Sequence, residues 1–85
     1  MQNFRNREDV HKFEYEVEGS VAFADYRLEG STLYIDYVEA PQALRGTGAV
    51  GQLMQHIMQT AKNKQWHVVP ICGYAASWIS RHDAS

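Results

Sequence analysis

With 85 residues of which 45% are apolar, the chain has material for one domain built on one core. Eight Lys and Arg against ten Asp and Glu leave a net charge of −2 with no block of like charge, which excludes the electrostatic footprint of nucleic-acid or anionic-membrane binding. The single cysteine, Cys72, excludes an internal disulfide and any zinc site needing two or more thiolates, and points to a reducing, cytoplasmic setting.

Residues 1–9 are polar, with Arg5, Arg7, Glu8 and Asp9 and no apolar run, so they read as a loose lead-in without a secretory signal, and the domain is expected over residues 10–85. From Phe13 to Val17, Phe13, Tyr15 and Val17 alternate with Glu14 and Glu16, the two-residue period of a half-buried strand. Gly19-Ser20 turns the chain into a second strand, Val21 to Leu28, with Ala22, Ala24, Tyr26 and Leu28 on one face. Glu29-Gly30-Ser31 turns it again into Thr32 to Val38, where Leu33, Ile35 and Tyr37 alternate with Tyr34, Asp36 and Val38. The first half is therefore predicted to be an antiparallel meander of three strands. After Pro41 the period changes: Val50, Leu53, Met54, Ile57, Met58 and Ala61 form one helical stripe, predicting a helix from about Thr47 to Asn63. Trp66 to Pro70 reads as a short strand, parallel to its neighbour because a helical crossover precedes it, and Tyr74 to Arg81 as a terminal helix. The fold class is thus α/β (α+β), a mixed sheet with a crossover helix. The longest mostly apolar run, Val68 to Ile79, is twelve residues broken by Pro70, Gly73 and Ser77, against about 20 needed to span a bilayer.

The most informative segment is Leu44-Arg45-Gly46-Thr47-Gly48-Ala49-Val50-Gly51, three glycines between a strand and a long helix. Glycine permits close backbone approach and positive φ, and a helix start offers unpaired N–H groups at the positive dipole end, a combination that favours a bound phosphate. The same glycines also serve simply to turn the chain into the helix. Gly46, Gly48 and Gly51 match G-x-G-x-x-G, but Ile71 stands where the dinucleotide fold needs an acid, and a meander precedes the loop. The P-loop template fails because Gln52 and Leu53 replace its Lys and hydroxyl residue.

A third template, R-x-x-G-x-G/A at the start of a helix that follows a Pro-containing strand end, fits better, and here the chain resembles the GNAT acetyltransferase superfamily. The stretch Glu39-Ala40-Pro41-Gln42-Ala43-Leu44-Arg45-Gly46-Thr47-Gly48, followed downstream by Pro70-Ile71-Cys72-Gly73-Tyr74, is similar to the minimal single-domain GNAT-like proteins, whose pattern is approximately H-T-E-V-P-x-x-L-R-G-x-G and then P-x-C with an aromatic. Three positions depart: Val50 occupies the final small position, Tyr37 the usual His and Val38 the usual Thr. The resemblance implies that acetyl-CoA is the cofactor. Its diphosphate would lie on Arg45, Gly46, Thr47, Gly48, Ala49, Val50 and Gly51, and its pantetheine and carbonyl along the strand end from Val38 to Ala40. Cys72 would lie at the cleft between two diverging parallel strands.

Acetyl transfer to an amine needs a neutral amine, a donor for the developing oxyanion and a proton for the departing thiolate. Cys72, just before a helix start, is a candidate nucleophile or base, and equally a cleft-lining or simply packed residue. Tyr74 is a candidate acid for the leaving thiolate, or half-buried structure; Glu39 is a candidate base, or a solvated carboxylate. Of the aromatics, Tyr37 is the one expected to face the cleft. His11, His56, His67 and His82 have no metal-site spacing, so no metal is expected. The reading is therefore an acyl-CoA-binding domain acting as an N-acetyltransferase on an unknown amine. Because the chain opens directly on strands, the acceptor side is expected to be open, suiting a macromolecular or loosely held amine. The alternatives are a CoA-binding module without turnover and a small interaction domain pairing through an exposed sheet edge.

Overall fold

The structure, a computed structural model, describes residues 2–82. Five strands, β1 (Gln2–Arg7), β2 (Lys12–Val17), β3 (Ser20–Glu29), β4 (Thr32–Glu39) and β5 (His67–Pro70), form one sheet in the order β1-β2-β3-β4-β5. The first three pairings are antiparallel and β4 pairs with β5 in parallel. A 3-10 turn (Gln42–Leu44) and helix α1 (Ala49–Lys64) connect β4 to β5, and α2 (Gly73–His82) follows.

The mixed sheet and its parallel crossover agree with the sequence reading, and the meander gains one strand. Gln2–Arg7, expected as a loose lead-in, is the edge strand β1. Its sequence hides this because Phe4 is its one large apolar residue. Phe4 stacks on Phe13 and on His56 of α1, with ring centroids 5.8 and 4.8 Å apart. On the other face Arg5 reaches Glu14 at 3.1 Å and Glu16 at 3.0 Å across the strand pair. These partners come from β2 and α1, so the strand becomes legible only once they are in place.

Helix α1 lies on β2 and β3, covering one face of the sheet. Phe13, Leu33, Ile35, Leu53, Met54 and Ile57 are fully buried between helix and sheet. Burial of each such side chain contributes about 1.5–3 kcal/mol before entropy is charged against it. Ala22, Ala24 and the 5%-exposed Tyr26 complete the sheet's contribution. At the far end Gln65 takes a left-handed conformation (φ 60), its amide donating to the Ala61 and Lys62 carbonyls, and this turns the chain towards β5.

The alternation assigned to β4 fails beyond Ile35, for a physical reason. Tyr26 pairs with Ile35 but Asp25 pairs with Tyr37, so Asp36 is an extra residue, a β-bulge. One inserted residue reverses the two-residue period. Leu33 and Ile35 face the helices as expected, whereas beyond the bulge Val38 and Ala40 pack on the core and Tyr37 turns to the open face, 49% exposed.

Candidate functional site

The bulge coincides with the point where β4 and β5 part. β4 pairs with β5 over Thr32 to Ile35 only, ending opposite Pro70, which has no N–H to donate. The amides of Ile71 and Cys72 both donate to the Ile35 carbonyl, at 2.9 and 3.1 Å, and close the pairing there. Tyr37, Val38 and Glu39 continue along β3, leaving the β5 side of this strand end unpaired among the described residues.

The glycine loop sits beside this opening. Leu44, 5% exposed, anchors the 3-10 turn in the core. Thr47 clips the loop to the helix: its Oγ1 donates to the Leu44 carbonyl at 2.6 Å and accepts from the Ala49 amide at 3.2 Å. Gly46 (φ 79) and Gly48 (φ 86) take left-handed conformations that a side chain would resist. The ladder of α1 begins with the Gln52 amide donating to the Gly48 carbonyl at 3.0 Å. The amides of Gly48, Val50 and Gly51 therefore precede the ladder, at the positive end of a 16-residue helix with no acidic residue in its first turn.

Between strand end and helix start lies a cleft of about 280 Å³, lined by Tyr37, Val38, Glu39, Ala40, Arg45, Val50 and Tyr74. Val38 and Ala40 reach it from the helix-covered face and Tyr37 from the open face, so the cleft crosses the β4 edge. Arg45 is steadied by its Nε donating to the Ala40 carbonyl at 3.4 Å. The Tyr37 hydroxyl donates to Glu39 Oε1. That bond, then the Glu39 charge and lesser burial, hold the phenol above its ordinary titration range; Cys72 adds to the effect and Arg45 opposes it.

Of the residues expected to form the site, Val38, Glu39, Ala40, Arg45, Val50 and Tyr74 meet at the cleft. Gly46, Thr47 and Gly48 form the loop at its rim, while the methyl group of Ala49 is buried in the core. Gly51 faces α2, where a Cβ would lie 3.5 Å from Trp78 Nε1, an ordinary van der Waals contact, so the packing of α1 on α2 does not demand glycine there. Cys72 precedes α2, its carbonyl accepting from the Ala76 amide at 2.9 Å, and its side chain packs against the core rather than joining the cleft lining among the described residues. The Tyr37–Glu39 pair is the feature that sequence reasoning missed. Their i, i+2 spacing on a strand puts both side chains on one face and was the available signal.

The donor set suits an anionic diphosphate: unpaired amides at a helix start, the Arg45 guanidinium and two glycines in conformations that bring backbone to the surface. No helix among the described residues is long and apolar enough to cross a membrane. No group of three His, Cys, Asp or Glu among them could hold a metal ion. A search of curated proteins returns no match. A family model described as GCN5-related N-acetyl-transferase matches residues 12–85, from the start of β2 through the cleft and both helices. With that match extending over most of its length, the chain belongs to the GCN5-related N-acetyltransferase family.

Proposed function

We propose that the cleft binds acetyl-CoA, with the diphosphate on the Gly46–Gly51 amides and Arg45, and that the domain passes the acetyl group to an amine. The observation that carries this reading is the coincidence of two devices at one place: the β4 end left unpaired by the bulge and Pro70, and the α1 amides left unpaired by the Gly48 N-cap. Acetyl-CoA supplies an activated thioester when bound. The chain's own residues then have separable tasks. The unpaired strand end at Val38 to Ala40 offers backbone groups that orient the acyl arm. Glu39, on the exposed side of the cleft, takes the proton from the incoming ammonium, and the Tyr37 hydroxyl fixes the position of that carboxylate. The Tyr74 hydroxyl supplies a proton to the departing sulfur, and the second proton that the nitrogen sheds as the amide forms restores that hydroxyl. Because Cys72 packs on the core, we assign it a structural role and have the amine attack the thioester directly. The uncovered face beside Tyr37 and Glu39 supports an acceptor that approaches from solvent, as a residue on a larger molecule can.

A second reading, coenzyme binding without turnover, is favoured by one observation: the Glu39 carboxylate already accepts the Tyr37 hydroxyl, which competes with its use as a base. Measuring free thiol released from acetyl-CoA across a panel of small and peptidyl amines separates the two. Amine-dependent thiol release supports transfer; a binding isotherm without release supports the binder; absence of both contradicts the acyl-CoA reading.

A further inference from the structure

A second cavity, of about 320 Å³, opens at the other end of the sheet from the acyl-CoA cleft, lined by Glu8, His11, Tyr26, Leu28 and Trp66. Four of these lie where the β1–β2 turn meets β3, joined by the Tyr26 amide donating to the His11 carbonyl at 3.0 Å. Trp66 enters from the α1–β5 connection, its amide held by the Ala61 carbonyl at 2.8 Å.

The composition of this cavity is specific. Three of its five lining residues carry aromatic rings, and its one carboxylate is Glu8. Tyr26 is 5% exposed and fixed, its hydroxyl donating to Asn6 Oδ1 at 2.7 Å, and its ring lies 5.9 Å from that of His11. Most acids on the strands and turns of this sheet are neutralised: Asp9, Glu14, Glu16, Asp25, Glu29 and Asp36 all lie in ion pairs. The Glu8 carboxylate has no ion-pair or hydrogen-bond partner among the described residues. Burial, and after it the Glu8 charge, raise the titration of the Tyr26 phenol, so the carboxylate's field reaches into the cavity. By contrast, the two cavities beside α2 both include Lys62 and would repel a cation.

Aromatic faces carry negative potential, and with an unpaired carboxylate they select a cation that is weakly hydrated and itself apolar. We propose that this cavity is a binding site for an alkylated ammonium group, seated among Tyr26, Trp66 and His11 and neutralised by Glu8. The site is separate from the acyl-CoA cleft and does not depend on the function proposed for it.

The test follows the Trp66 indole and the Leu28 amide by NMR in isotopically labelled protein at about pH 8, where an ordinary imidazole is neutral. Two cationic probes are titrated, choline and a blocked trimethyl-lysine amide, beside the uncharged tert-butyl analogue of choline. Saturable shifts with either cation, absent with the uncharged analogue, support the site, and the tighter probe tells a free small cation from a modified side chain. The exposed substitution Glu8→Gln should weaken binding about fivefold and Trp66→Leu should abolish it. Equal binding of the uncharged analogue, no saturable shift with either cation, or unchanged affinity in Glu8→Gln overturns the proposal, and the last of these does not depend on whether Trp66→Leu folds.

Discussion

Substituting Gly48 by Ala tests the claim that the start of α1 is held in a conformation chosen for its backbone. Gly48 caps the helix at φ 86 and ψ 0, and an added Cβ meets no atom within 4 Å, so any cost of Gly48→Ala is conformational and not steric crowding by neighbours. A left-handed L-residue costs roughly 1–2 kcal/mol, and at a φ that Ala does not adopt this cost outweighs the smaller gain from restricting the unfolded chain. For a domain of this size a loss of about 1–2 kcal/mol lowers the thermal midpoint by roughly 4–16 °C. Gly51→Ala is the control. Its Cβ would lie 3.5 Å from Trp78 Nε1, an ordinary contact, in a helical backbone where replacing Gly gains up to about 1 kcal/mol. Thermal unfolding followed by far-UV circular dichroism should show Gly48→Ala melting well below the parent and Gly51→Ala at or above it. Calorimetry should show acetyl-CoA affinity falling in Gly48→Ala, because relaxation of the cap re-aims the amides. Equal midpoints for the two variants, or a Gly48→Ala protein as stable as the parent, would refute this account of the loop.

Arg45→Gln should weaken acetyl-CoA binding roughly tenfold in calorimetry, the order expected on losing one charge-assisted contact, while leaving the thermal midpoint within about 2 °C because the side chain is exposed. Glu39→Gln removes the group that raises the Tyr37 phenol, so phenolate absorbance should report a lower midpoint for Tyr37 than in the parent; an unchanged midpoint would disprove the coupling. Because the folded value is raised, stability from the Tyr37–Glu39 bond is complete below the ordinary tyrosine value and is lost as pH climbs through the elevated one. Cys72→Ala should retain binding and keep amine-dependent turnover within about threefold; loss of turnover with binding intact would return the thiol to the mechanism.

What the sequence disclosed depended on whether the determining interaction was local. The two-residue period of Phe13 to Val17 and the stripe from Val50 to Ala61 record burial of each element's own face, and both elements stand where that periodicity put them. The glycine loop was legible because positive φ restricts residue choice at single positions. Strand β1 was not, because Arg5 gains its meaning from Glu14 and Glu16 on the next strand and Phe4 from a ring on α1. The bulge at Asp36 was hidden for a related reason: an extra residue breaks the period without any sequence mark, and it alone moves Tyr37 to the open face and Val38 to the core side. The same inversion explains the pattern of the candidate site. Val38, Ala40 and Arg45 could be placed from the motif, and the spacing of Tyr37 and Glu39 put them on a shared face, whereas that this is the open face required knowing where the bulge lies.

The central claim is that the amides opening α1 grip a diphosphate beside the unpaired end of β4. Titration of isotopically labelled protein with acetyl-CoA should move the amide resonances of Gly46, Gly48, Val50 and Gly51 together with that of Val38, saturably and with one affinity. A folded protein whose loop amides stay in place at saturating coenzyme would contradict it.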